Sequence, residues 1–267
     1  MSFVIVERPA DGIAVIRLNR PERMNAMAFD VMIPLRELIE ELSVDNSVRV
    51  VILTGTGTGF CSGADLEDPG TIPHVDGLGL PSIARRSMGL LEEVTHALRR
   101  MNQPVIAAIN GAAIGGGFCL SLSADIRVAS TEAYFRAAGI NNGLTASELG
   151  LSYLLPRAIG QSRAADIMLT GRDVDAPEAE RIGLVSSVTT PESLMPTCIE
   201  MAQRIKGFSH AGVEMTKRSL WASLNASSLE GHMEAEGLGQ LFIRLTTQNF
   251  EEAIRARRAK RPPVFEA

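Results

Sequence analysis

Apolar positions in the first half of the chain fall into short aliphatic runs separated by longer stretches with helical spacing. Phe3 to Val6 and Ala14 to Leu18 read as strands divided by the turn Asp11-Gly12. Phe29 to Leu42 carries apolar residues at helical spacing, with Asp30 near its start and an early Pro34. Val48 to Leu53 is a β-branched strand that ends in the alternating glycines Gly55, Gly57 and Gly59. Ile83 to Met101 predicts a helix closed by Arg99 and Arg100, the charge that a helix C-terminus favours. Pro104 to Ile109 predicts another strand, Phe118 to Ala124 a buried helix, and Ile126 to Ala129 a further short strand.

Beyond Ala133 the pattern changes. The chain is loop-rich, turns helical around Leu149 to Ile159, and predicts helices at Arg163 to Leu169 and Pro177 to Ile182, then a last strand at Val185 to Val188. After Pro191 only helices are predicted: Leu194 to Ile205, Gly212 to Leu224 and one long stretch from Ser228 to Lys260. Asp68 to Ser82, rich in Pro and Gly with little periodicity, predicts a mobile surface flap. The class is α/β, a repeated strand–helix body over residues 1–195 with an all-helical tail over 196–267.

Composition narrows the function classes. A chain of 267 residues, 45% hydrophobic and 21% charged, suits a soluble globular protein with a sizeable core. The net charge of −5 gives no reason to expect nucleic acid as a partner. Met1 to Ala10 lacks the cationic start and apolar core of a secretory signal. Val105 to Ala124 is long enough to span a membrane, but its glycines, serines and Asn110 make it too polar to do so. Cys61, Cys119 and Cys198 are odd in number and lack metal-ligand spacing, so neither a disulfide framework nor a metal is expected, and a cytoplasmic location is.

The candidate chemistry centres on Asn110-Gly111-Ala112-Ala113-Ile114-Gly115-Gly116-Gly117. Glycine lets a ligand approach the backbone, and a helix reached through glycine offers unpartnered N–H groups to an anion. Gly55, Gly57 and Gly59 also follow a strand, which allows a dinucleotide reading. That reading needs a helix directly after the glycines, and a Pro/Gly loop stands there instead.

Three stretches in order carry more information: Leu18-Asn19-Arg20-Pro21 with Asn25-Ala26; Phe60-Cys61-Ser62-Gly63-Ala64-Asp65-Leu66; and Asn110-Gly111 with Gly115-Gly116-Gly117. With Ala124-Asp125-Ile126-Arg127-Val128-Ala129, Leu154 to Gly160, Leu169-Thr170-Gly171-Arg172 and Ala179 to Val185, their spacing resembles the crotonase superfamily, also called the enoyl-CoA hydratase/isomerase family. The resemblance covers essentially the whole chain and is closest to an actinobacterial enoyl-CoA hydratase subgroup.

The resemblance implies a spiral of ββα units followed by helices that build homotrimers, which commonly pair into homohexamers. It implies an acyl-CoA thioester as substrate, within fatty acid or lipid metabolism, with coenzyme A entering as part of the substrate and no separate cofactor. Two backbone N–H groups stabilise the enolate oxyanion, and by motif position these are Ala64 and Gly116. Removing one such donor typically costs about 3–4 kcal/mol of transition-state stabilisation. Along the coenzyme A path the resemblance implies Arg23, near the diphosphate, with Met24, Ala26, Ser62, Asp65 and Leu66. Lys260 falls where a tail lysine often reaches the coenzyme A of a neighbouring subunit; the basic residues around it equally suit a solvated helix end. Asp65 and Asp125 also read as loop and strand-end anchors.

The chain departs from the family where hydratases carry two glutamates. The first position, two residues beyond the triglycine, is Cys119, and the second is Gly139. Cys119, flanked by Phe118 and Leu120, reads as a buried small hydrophobe without a cationic activator. One carboxylate remains nearby. Glu148 resembles in position a functional aspartate of the chlorobenzoyl-CoA dehalogenases, and it also sits where a predicted helix begins, as a cap or dipole partner would. The expected function is an enoyl-CoA hydratase-like lyase with Glu148 as general acid/base. The alternatives are an enoyl-CoA isomerase or thioester hydrolase using one carboxylate, and a catalytically silent acyl-CoA binder.

Overall fold

The computed structural model describes residues 2–266. In chain order the body contains β1 (Val4–Ala10), β2 (Ile13–Leu18), α1 (Phe29–Ser43), β3 (Val50–Gly55), β4 (Gly59–Cys61), α2 (Leu80–Arg100), β5 (Val105–Ile109), β6 (Ala112–Ile114), α3 (Gly116–Ser123), β7 (Ile126–Ser130) and β8 (Tyr134–Arg136). It continues through α4 (Leu151–Ile159), α5 (Gln161–Thr170), β9 (Asp173–Asp175), α6 (Ala176–Arg181) and β10 (Ser187–Thr189). Four helices follow: α7 (Pro191–Lys206), α8 (His210–Ser223), α9 (Leu229–Thr246) and α10 (Asn249–Arg258).

The strands form two sheets, one ordered β1-β2-β3-β5-β7-β10 and a smaller one ordered β4-β6-β8-β9. Each turn of the chain lays one strand in the large sheet, a three-residue strand in the small sheet, and then a helix: β3-β4-α2, β5-β6-α3 and β7-β8-α4. This is the expected spiral of ββα units. Pairing is parallel throughout both sheets except at the β1–β2 hairpin and the β8–β9 edge. The small-sheet strands were not legible as strands, because three residues are too few to show a period.

Alternation along the central strands explains why they read as unbroken apolar runs. Ala14, Ile16 and Leu18 of β2 face a core shared with α1, α3 and α4, while Ile13 and Val15 face a second core. That second core is closed by Leu194, Cys198 and Ala202 of α7, so the sheet is buried on both faces. The boundary expected at 195/196 therefore falls inside a helix packed on the body.

Beyond α7, one carboxylate anchors the tail. Asp125 accepts hydrogen bonds from the Val105 N–H and from Trp221 Nε1, both at 2.7 Å, and faces Lys217 Nζ at 2.9 Å. Lys217 also donates to the Gln103 carbonyl at 2.8 Å, which ties α8 to the end of the sheet. The single helical stretch expected from Ser228 to Lys260 is interrupted at Thr247, which is extended (φ −130°, ψ 162°). Residues 68–79 form irregular chain tied down at one end, where the Phe29 N–H donates to the Pro69 carbonyl at 2.8 Å. Helix α2 begins earlier than expected, at Leu80. Among the described residues no helix is long and apolar enough to cross a membrane.

Candidate active site

Two asparagines set the site in place. Asn25, buried and in a left-handed conformation (φ 56°), accepts from the Arg20 N–H at 2.9 Å and donates to the Thr56 and Gly59 carbonyls at 2.9 and 2.8 Å. Asn110 accepts from the Gly55 N–H at 3.2 Å and donates to the Gly57 and Gly59 carbonyls at 3.0 and 3.1 Å. The Gly55–Gly59 turn is thereby stitched down and runs directly into β4. No helix follows these glycines, so the dinucleotide reading fails on its own requirement.

Downstream of that turn, the Met27 N–H donates to the Gly63 carbonyl at 2.7 Å and the Asp65 N–H to the Met27 carbonyl at 3.0 Å. This one-residue parallel bridge holds Ala64, whose own N–H has no hydrogen-bond partner among the described residues. On the other side, the Gly115 N–H donates to the Arg136 carbonyl at 2.8 Å, and Gly115 takes φ 52°, ψ −119°, a conformation reserved for glycine. Helix α3 then starts at Gly116, whose N–H is likewise unpartnered among the described residues.

The two loops lie against one another. A Cβ placed on Gly63 would lie 2.7 Å from the Ile114 carbonyl oxygen and 3.5 Å from the Gly116 nitrogen. A Cβ on Gly116 would overlap the Met27 thioether and sit 3.4 Å from Leu149 Cδ1, while one on Gly117 would overlap the Cys61 carbonyl. Each glycine is therefore required by a wall, and Met27 and Leu149 are walls that the residue pattern did not mark. Two amides without a partner among the described residues thus stand on adjoining glycine-flanked loops.

Glu148 reaches this place. Its Oε1 is 3.2 Å from where a Gly115 Cβ would stand, and its carboxylate has no hydrogen-bond partner among the described residues. Burial raises its pKa above the ordinary carboxylate value. The capping role is not taken: α4 begins at Leu151 after Gly150, and no side chain caps it. Leu149, at φ 44°, turns the chain between Glu148 and the helix, a strained choice for a leucine.

The two positions of the usual glutamates are closed to carboxylate chemistry in different ways. Cys119 is fully buried and its Sγ donates to the Glu148 carbonyl at 3.3 Å. Burial and then the nearby Glu148 push its thiol pKa well up, and burial takes Cys61 up to about 12, so both are neutral thiols. At Gly139 there is no room for any side chain, since a Cβ would overlap the Thr145 carbonyl. The Leu144 N–H bonds back to the Gly139 carbonyl at 2.9 Å and draws that loop tight.

Arg23, Met24, Ala26, Ser62, Asp65 and Leu66 line one cavity of about 280 Å³ together with Ala64, Glu22 and Glu67. Asp65 turns its carboxylate inward. It accepts the Glu67 and Asp68 N–H groups at 3.1 and 2.9 Å and pairs with Arg20 at 3.1 Å. It also binds Arg23 through two bonds, Nη2 at 2.6 Å and Nε at 3.2 Å. That arginine is the first reason the Asp65 carboxyl is held far below the usual carboxylate range. Asp65 is thus the loop anchor, and only its backbone is left for a ligand. Lys260 stands apart from this cavity, exposed beyond α10 in a left-handed conformation (φ 51°). Three larger cavities share no residue with the paired loops: two, about 310 and 550 Å³, lie against α8, and one of about 390 Å³ lies beside Gly55, Gly57 and Asn110.

Spiral, donor pair and cavity together define a class, and the sequence match agrees with it. Residues 8–267 match the enoyl-CoA hydratase/isomerase family, and the chain belongs to this family of enzymes acting on acyl-CoA thioesters. Its relatives include the Mycobacterium tuberculosis protein named "Probable enoyl-CoA hydratase EchA12", 66% identical over 99% of this chain and 93% of its own length. Among solved structures, a "probable enoyl-CoA hydratase/isomerase" from Mycobacterium abscessus is 65% identical, with a TM-score of 0.96 over 100% of this chain and 99% of that one. A "monofunctional enoyl CoA isomerase" from Mycobacterium smegmatis is 60% identical, with a TM-score of 0.75 over 87% of this chain and 99% of that one.

Proposed function

We propose that this chain is an enoyl-CoA isomerase that moves a double bond through an enolate, with one carboxylate carrying the proton both ways. The observation that carries the reading is Glu148: it is the carboxylate that reaches Gly115, and the two positions where hydratases keep glutamates hold a buried thiol and a glycine without room for a side chain. Hydration has to deliver water to C3 and a proton to C2 in a concerted arrangement. Isomerisation needs a single group that removes a proton from C2 and returns it to C4.

The thioester oxygen would lie between the Ala64 and Gly116 amides, which hold the negative charge that develops as the C2 proton leaves. Glu148 takes that proton, the C3–C4 double bond shifts to C2–C3, and the proton is delivered to C4. A carboxylate with a raised pKa suits a group that must act as base and then as acid near neutrality.

The hydratase-like lyase expected from the sequence is the second reading. It is favoured by the name of the Mycobacterium tuberculosis relative, a probable enoyl-CoA hydratase, and by the Glu148 carboxylate, unpartnered among the described residues, which can activate one water. Thioester hydrolysis uses the same group. The test supplies 3-enoyl-CoA and 2-enoyl-CoA separately and follows both products by mass spectrometry. Conversion of the 3-enoyl to the 2-enoyl thioester at constant mass supports isomerisation. Gain of one water supports hydration, release of free coenzyme A supports hydrolysis, and binding without any product supports the silent binder.

In this reading coenzyme A runs along the cavity of Arg23, Met24, Ala26, Ser62 and Leu66. Lys260 acts on a neighbouring subunit, and residues 196–267 serve oligomerisation and closure of that cavity. Support for an assembling tail comes from α9, which exposes Leu238, Leu241, Phe242 and Leu245. A homotrimer or homohexamer is the expected particle, measured by light scattering. All three cysteines are free and buried, in keeping with the cytoplasm.

A further inference from the structure

Arg23 is held at two ends by two unlike carboxylates. Its Nε/Nη2 edge is bound by Asp65, whose side chain is 2% exposed and fixed by Arg20 and two backbone N–H groups. Its Nη1 pairs instead with Glu67, whose side chain is 80% exposed and has no other partner among the described residues. The first carboxylate belongs to the fold. The second is a solvent-facing arm at the rim of the cavity, and an exposed ion pair of this kind contributes little to stability.

We infer that Glu67 stands in for a coenzyme A phosphate at Arg23, and that its displacement sets the affinity of the site. The inference rests on reading this cavity as the coenzyme A path. Asp65 orients the guanidinium and leaves Nη1 facing outward, the geometry a diphosphate oxygen can take with a charge-assisted bond. The carboxylate and the diphosphate compete for one donor. The same cavity is lined by Glu22, Asp65 and Glu67 against the single guanidinium of Arg23, so an arriving diphosphate meets an acidic mouth until Glu67 swings away. Glu67 thereby weakens binding of substrate and product alike and speeds product release. Because Asp65 keeps its place, the exchange costs no rearrangement of the loop.

The experiment titrates free coenzyme A into the full-length protein by calorimetry, for wild type, Glu67→Gln, Arg23→Gln and the double variant. Glu67→Gln is expected to tighten binding about 3- to 10-fold at low ionic strength, with the gain shrinking as salt rises. Arg23→Gln is expected to weaken binding, and Glu67→Gln to add nothing to it, because the competition needs the guanidinium. The gain should persist with 3′-dephospho-coenzyme A; its loss there would overturn the diphosphate assignment. Unchanged affinity in Glu67→Gln alongside weakened binding in Arg23→Gln overturns the competition while leaving the coenzyme A path intact. If Arg23→Gln matches wild type, the path itself is misassigned.

Discussion

The inner and outer halves of the site are built from different materials. The inner half, Gly63-Ala64 against Gly115 to Gly117, is backbone packed on backbone, with walls supplied by the Ile114 and Cys61 carbonyls and by Met27. The outer half, Arg23 with Asp65 and Glu67, is made of charges, one of them buried and one in solvent. The first half is fixed mainly by backbone walls and has no exposed ion pair to screen. The second can change partners at little cost. In the proposed reading the site must hold a short-lived oxyanion in one position, yet admit and release a large phosphorylated ligand, and it divides its labour along that line.

The largest effect belongs at the inner half. Glu148→Gln should lower turnover by about 10²- to 10⁴-fold, the range for losing a general acid–base group. It should do so without loss of stability, checked by thermal unfolding. The sign follows from burial. The folded protein holds this carboxyl's pKa above its unfolded value, so the stability it adds is present at low pH and is lost as pH rises through the folded pKa. Removing the charge therefore costs nothing near neutrality. The same raised pKa places the acidic limb of kcat/KM above the ordinary carboxylate range, since the ionised form is the base. Glu148→Gln should abolish that limb in whatever activity remains.

A smaller effect separates two neighbouring glycines. Gly117→Ala drives a methyl into the Cys61 carbonyl, a backbone wall, and should destabilise the protein by about 1–3 kcal/mol in urea unfolding. Gly116→Ala overlaps the Met27 thioether, a flexible side chain that can swing aside, and touches Leu149 at ordinary contact distance. It should lose less stability than Gly117→Ala and more activity, because the methyl enters beside the donor pair. If the two variants were equally unstable, the claim that the inner walls differ in stiffness would be wrong.

The smallest effect lies outside. Glu67→Gln should leave stability within about 0.5 kcal/mol, as removal of an exposed ion pair does. Asp65→Asn should cost clearly more, because its carboxylate is buried against two guanidinium groups and two N–H donors.

What could be read from residues alone follows this division. Gly115 to Gly117 and Ser62-Gly63-Ala64 announced themselves because glycine is demanded wherever backbone meets backbone, and that demand is written locally. Asn25 and Asn110 were visible as motif members, although their task of clamping one turn was not. The three-residue strands β4, β6 and β8 leave no period in the sequence, since their stability comes from pairing with each other. Glu148 was placed at a helix start. The left-handed Leu149 takes it off the helix, and the approach to Gly115 is made across 33 residues of chain.

Sequence by itself determined the family, the order of the large-sheet strands and of the body helices, the glycine-flanked amides and the loss of both usual glutamates. These are properties of residue type and spacing, which a chain carries before it folds. Tertiary structure alone decided where the one remaining carboxylate points, that Gly139 has no space to regain another, and that Arg23 is shared between a buried and an exposed partner. Those depend on burial and on distances between segments far apart in the chain, and neither exists until the sheets and helices have packed.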